Sequence, residues 1–269
     1  MKNFAGTAVK ASLMLVALCG ALGSPCQAQT PAADSARKPV LVELFTAEGC
    51  SSCPPAEAIA LKMEKQPLAG IDLIVLEEHV TYWNQYGWID PFSSGDWTER
   101  QTDYIAKLPH ESPYTPEMVV DGQAQFTGSN GRAAQAAIEN AVRAPETDVT
   151  IADAKADPKN EEDFQVSVGK LQGGTPGDVA EVWVAVTEDG LHSDVKAGEN
   201  AGHTLYHAAV LRYLHKIGVA DGSGATAFTG DARVKFKSSW NRKDVNIVAF
   251  VQEKKSLKVL GAASTKLEG

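Results

Sequence analysis

Cysteine is scarce in this 269-residue chain, with only Cys19, Cys26, Cys50 and Cys53. Long apolar runs are missing too: Ala11 to Ala21 falls short of the roughly 20 residues a membrane-spanning helix needs. Positive charge is in deficit, 25 Lys and Arg against 34 Asp and Glu, for a formal net charge of -9. No Lys/Arg cluster overrides that balance, so phosphate backbones and anionic membranes are repelled and nucleic acid is not an expected partner. There is no GxSxG, P-loop, HExxH or dinucleotide-binding fingerprint, which removes the enzyme classes that those motifs mark. No repeat or low-complexity tract stands out.

What is present starts at the N-terminus. Lys2 and Lys10 precede the apolar run, and a small-residue stretch ends at Cys26-Gln27-Ala28, the pattern of a secretory signal peptide over residues 1–28. A lipoprotein signal is disfavoured, because Leu18 and Pro25 stand before Cys19 and Cys26 where a small residue is needed. Cleavage after Ala28 removes two lysines and no carboxylate, which takes the net charge to about -11. It also removes Cys19 and Cys26. A periplasmic or secreted protein is expected, not membrane-bound once the signal is cut, with one CxxC and nothing else for it to pair with. Scaffold disulfides tie distant segments together, whereas a bridge closing four residues constrains the unfolded chain little. That asymmetry favours chemistry over scaffolding.

About 240 mature residues predict two domains. After a flexible lead over 29–38, the β-branched run Pro39 to Phe45 reads as a buried strand. Cys53-Pro54-Pro55 opens a helix with both cysteines at its N-terminal end, and Ile71 to Leu76 is a second buried strand. The dipeptide Asp121-Gly122 between Glu117–Val120 and Gln123–Phe126 signals a hairpin, and Arg132 to Arg143 has helical apolar spacing. An insertion over 80–108 carries Tyr82, Trp83, Tyr86, Trp88, Phe92 and Trp97. These rings form either the core of a helical cap or a groove for a peptide. From 146 to 269 short alternating segments (Val149–Ala154, Phe164–Leu171, Val179–Thr187, Arg233–Phe236, Val245–Gln252, Leu257–Ala263) predict a mainly β, sandwich-like domain, by default a docking surface. The run His203 to Val219 fits either a strand or a helix.

The stretch Phe45-Thr46-Ala47-Glu48-Gly49-Cys50-Ser51-Ser52-Cys53-Pro54-Pro55, taken with Thr115-Pro116-Glu117-Met118-Val119-Val120-Asp121-Gly122, resembles an exported bacterial thioredoxin-like family of unassigned function. The resemblance implies an α/β thioredoxin-like domain over 39–145, with a helical insertion, and a proline in cis facing the cysteine pair.

Chemistry then centres on Cys50 and Cys53. The amides and dipole of a helix N-terminus stabilise a thiolate, so Cys50 is the candidate nucleophile and Cys53 the resolving thiol of a thiol-disulfide oxidoreductase acting on protein or peptide thiols and disulfides. Ser51 and Ser52 supply hydroxyl donors. Thr115 and Pro116 are expected to hold a substrate chain, Glu43 resembles the buried acid of thioredoxins, and His79 lies near the rim. No resident cofactor is called for. The alternatives are a binding module with an inert disulfide and a copper(I)-handling protein using the two thiolates, alone or with His79. His192, His203, His207 and His215 read as scattered surface histidines, with a second metal site as the minority reading.

Overall fold

Strand β1, Lys38–Thr46, is buried on both faces from Val40 onward and pairs in parallel with β2, Ile71–His79. The computed structural model that shows this describes Met1 and residues 37–66, 68–109, 111–157, 161–221 and 224–267, with side chains left aside over 153–157. Of the signal peptide expected over 1–28 and the lead expected over 29–38, all but Met1 and residues 37–38 lie outside the described residues, and Lys38 already belongs to β1.

Helix α1, Pro54–Lys65, crosses from β1 to β2, with its prolines in the first turn, where an N–H has no partner to lose. After helix α2, Gly95–Ile105, strands β3, Glu117–Val120, and β4, Ala124–Thr127, form a hairpin on the other side of β1. Its three-residue loop, Asp121 to Gln123, has positive φ at both Asp121 (45°) and Gly122 (64°), the region that Asp-Gly favours. A Cβ on Gly122 would lie 1.8 Å from the Leu257 carbonyl oxygen, so only glycine fits. Helix α3, Gly131–Ala141, is capped by Asn130 and buries Ala134, Ala137 and Ile138.

Among the described residues the regular elements that follow are strands, apart from a 3-10 turn at Arg242–Asp244: β5, Val149–Asp157; β6, Glu161–Gly169; β7, Ala180–Glu188; β8, His192–Asp194; β9, Thr204–Tyr206; β10, Val210–Ala220; β11, Thr226–Lys235; β12, Val245–Glu253; and β13, Val259–Lys266. The ambiguous run 203–219 is therefore neither one long strand nor a helix but two strands, β9 and β10, separated by a loop at 207–209 that carries His207. One mixed sheet of eight strands has the order β13-β12-β7-β10-β2-β1-β3-β4, and β11-β6-β5 forms a second sheet. Phe164, Val166 and Val168 of β6 join Val182, Val184 and Val186 of β7 in one apolar cluster.

This corrects the expected fold class. A thioredoxin-like α/β domain with a helical insertion, followed by a β sandwich, is not what forms. Three α-helices stand against thirteen strands among the described residues, and residues 36–269 cluster as one compact unit. The physical reason is the outer edge of β2. β10 joins that edge in parallel near its C-terminal end, with Val210 opposite Glu77 and the Glu77 N–H donating to the Ala209 carbonyl at 3.0 Å, and so draws the strands that follow into the same sheet. The 80–108 insertion holds only α2 and a single 3-10 turn, Asn84–Tyr86, among its described residues, the remainder being loop.

Candidate functional site

Cys50 and Cys53 are joined in a disulfide with Cα atoms 5.4 Å apart. Cys53 is the N-cap of α1, its carbonyl accepting from the amides of Ala56 and Glu57. The tight turn before it is closed by the Cys50 N–H donating to the Ala47 carbonyl and the Cys53 N–H donating to the Cys50 carbonyl, both at 3.1 Å. Ser52 Oγ lies 3.3 Å from Cys50 Sγ and donates to the Thr115 carbonyl at 3.5 Å. The Thr115-Pro116 bond is cis, and Trp83 Nε1 donates to Thr115 Oγ1 at 2.7 Å. Cys50, Cys53, Ser52, Thr115 and Pro116 thus lie together.

Both sulfur-bearing residues are nonetheless wholly buried, while Ser51 and Ser52 are exposed. The cysteines pack among Phe45, Ala47, Val80, Tyr104 and Val119, and a strap between β8 and β9 binds the backbone of the loop that carries Cys50. Asn200 Nδ2 donates to the carbonyls of Glu48 (2.8 Å) and Cys50 (3.0 Å), and Glu199 Oε2 accepts from the Ser51 N–H at 3.0 Å. Gly198 makes the close approach: a Cβ there would sit 3.3 Å from Trp88 Cβ and 4.0 Å from Gly49 Cα. Sequence reasoning found no signal for this strap.

Glu43 and His79 turn away into separate buried clusters, because side chains alternate between the two faces of a strand. Glu43 and Glu78 share the α2 face. There Arg100 Nε and the Tyr104 hydroxyl each donate to Glu43 at 2.5 Å, and Glu78 lies 3.6 Å from Arg100 Nε. Burial and then the Glu43 charge push the Glu78 carboxyl well above its ordinary range.

His79 is not at the rim. With Glu77 it points to the opposite face, toward α1, and meets His207, the rings being 4.7 Å apart. His79 Nδ1 lies 2.8 Å from Asp90 Oδ2, and its Nε2 lies 3.2 Å from Glu77 Oε1. His207 Nδ1 lies 2.9 Å from that same Glu77 oxygen, and its Nε2 lies 3.1 Å from Glu48 Oε1. Burial opposes a charge on both rings, but the flanking carboxylates outweigh it. They hold His79 well above its ordinary value and His207 at about 9. Glu57 of α1 reaches the same cluster, and burial together with the charge of Glu77 raises its carboxyl to about 7. His192, His203 and His215 are exposed, so the four histidines do not gather into one site.

The fold and site thus define a mixed-sheet protein with a buried CxxC disulfide at a helix start. The chain belongs to the family described as "Protein of unknown function (DUF1223)", whose model matches residues 41–252. A crystal structure of a protein from Agrobacterium tumefaciens is similar at 26% identity and TM-score 0.62, covering 86% of this chain and 97% of that one. HBP35 of Porphyromonas gingivalis shares the fold at 16% identity and TM-score 0.64, covering 87% and 77%. No curated protein matches the chain.

Proposed function

We propose that this protein carries out thiol–disulfide exchange with a protein or peptide partner in an oxidising compartment outside the cytoplasm. The observation that carries the reading is the Cys50–Cys53 disulfide at the N-terminus of α1, a four-residue loop with little value as a scaffold. In the reduced protein the Cys50 thiolate attacks one sulfur of the partner's disulfide, forming a mixed disulfide and releasing the partner's other sulfur as a thiol. The Cys53 thiolate then attacks Cys50 Sγ, which closes the Cys50–Cys53 bond and releases the second partner thiol. Two electrons pass to the partner, and the reverse sequence oxidises a partner dithiol. Ser52 beside Cys50, and Thr115 beside Ser52, are the groups placed to hold the attacking sulfur and an incoming chain.

The burial of both cysteines favours a second reading, an inert disulfide inside a binding module. One experiment separates the two. A Cys53→Ala variant leaves Cys50 free; under exchange chemistry it is alkylated far faster than an ordinary thiol near neutral pH and captures partners as mixed disulfides from a periplasmic extract. Sluggish alkylation and no captured species would leave the inert reading standing.

A further inference from the structure

The Glu77, His79 and His207 cluster is used by neither reading of the cysteines. We infer that it is a buried metal centre, in which His79 Nε2, His207 Nδ1, Glu77 Oε1 and Glu57 Oε2 hold one divalent transition-metal ion, zinc in the first instance.

The geometry of the donors carries this. The ligand atoms of Glu77, His79 and His207 lie within 4.8 Å of one another, with Glu77 Oε1 at 3.2 Å from one ring and 2.9 Å from the other. Tetrahedral zinc, bonded at about 2.1 Å to each donor, sets its donors about 3.4 Å apart, close to both distances from Glu77 Oε1. Glu57 Oε2 lies outside that group but stands 4.0 Å from His207 Nδ1, and a small inward swing would make it the fourth donor of a two-nitrogen, two-oxygen set.

The outward atoms are as telling as the inward ones. Asp90 Oδ2 holds His79 Nδ1, and Glu48 Oε1 holds His207 Nε2. The Ala208 N–H donates to Glu77 Oε2 at 2.9 Å, and Thr46 Oγ1 donates to Glu57 Oε1 at 2.7 Å. Each of the four inward donors therefore belongs to a side chain whose far atom is already fixed by the protein. A carboxylate on the distal nitrogen is the usual orienting device of a metal-binding histidine. Both rings have a carboxylate on each nitrogen. All four ligand residues are buried, and the Phe92 ring packs at 5.4 Å and 5.3 Å on the two imidazoles, so the ion enters as the chain folds.

The test uses the full mature chain with its disulfide intact, unfolded with a chelator and refolded with zinc or cobalt(II). One zinc per chain should survive gel filtration. Cobalt should give tetrahedral visible absorption without a thiolate charge-transfer band. A Cys50→Ser/Cys53→Ser variant should still hold one zinc, Asp90→Asn should bind it about 10–100-fold more weakly, and His207→Gln should hold none. A folded wild type that retains no zinc, or zinc lost with the cysteines, overturns the assignment. If His207→Gln does not refold, the cobalt spectrum of the wild type decides: tetrahedral absorption supports the site, and its absence rejects it.

Discussion

Asn200 grips the Cys50 carbonyl through its side-chain amide, at 3.0 Å and across 150 residues of chain, while the same nitrogen reaches the Glu48 carbonyl at 2.8 Å. One side chain thereby fastens the strap to the loop that carries Cys50. Asn200→Ala removes both bonds and takes from the Glu48 carbonyl its side-chain donor, while the Cys50 carbonyl keeps the Cys53 N–H, at a cost of about 1–3 kcal/mol. If that energy holds the strap closed, dithiothreitol should reduce the disulfide about tenfold faster or more. Stopped-flow or quenched alkylation measures the rate, and an unchanged rate would show that Asn200 stabilises the fold without guarding the sulfurs.

Arg100 is the cation between Glu43 and Glu78. Arg100→Met leaves the Glu43 charge buried without its partner, for an expected loss of about 3–5 kcal/mol. Glu78→Gln should be close to neutral, because burial and the Glu43 charge already favour the protonated acid there. Urea denaturation of both variants reads the contrast; similar losses would refute it.

Glu117 accepts from Gln101 Nε2 at 2.7 Å, and burial, with Glu43 adding to it, raises its carboxyl from 4.5 to about 7. Tyr82 and Tyr114 also sense its charge. A folded-state pKa above the unfolded one means that stability is fully present below about pH 4.5 and is lost as pH rises through 7. Glu117→Gln, which mimics the protonated acid, should therefore match the wild type at pH 4.5 and gain on it above pH 7, by up to about 2 kcal/mol. Thermal melts across that range supply the difference, and a constant gap between the two proteins would contradict it.

Gly122→Ala should cost more than about 2 kcal/mol, because its left-handed backbone and the nearby Leu257 carbonyl both reject a Cβ. Gly70 has the same backbone region, φ 72°, but nothing within 4 Å of the methyl group that alanine would add, so Gly70→Ala should cost only about 1 kcal/mol. Equal losses would show that backbone strain alone, and not the contact with Leu257, sets the requirement.

Local elements were legible because their signals are local. The apolar run at 39–45, the prolines after Cys53 and the Asp-Gly turn each announce a strand, a helix start and a hairpin without help from distant chain. Glu77-Glu78-His79 also held readable information, since alternation alone sends Glu78 to one face and its neighbours to the other. What no local pattern records is the pairing of Val210 with Glu77, which merges the two halves into one sheet and carries His207 to His79. Glu48, Glu57 and Asp90 escaped notice because isolated acidic residues are usually solvated. Here the imidazoles, Thr46 and Trp88 compensate their burial, Trp88 Nε1 donating to Glu48 Oε2 at 2.6 Å.

The β2–β10 pairing also decides how the molecule can be cut. A fragment ending near residue 145 keeps the CxxC, its helix and Thr115-Pro116, yet loses β10 from the C-terminal end of β2 and opens that edge further to other chains. Such a fragment is a seed for aggregation, and the smallest workable piece of this protein extends through the strands that shield that edge.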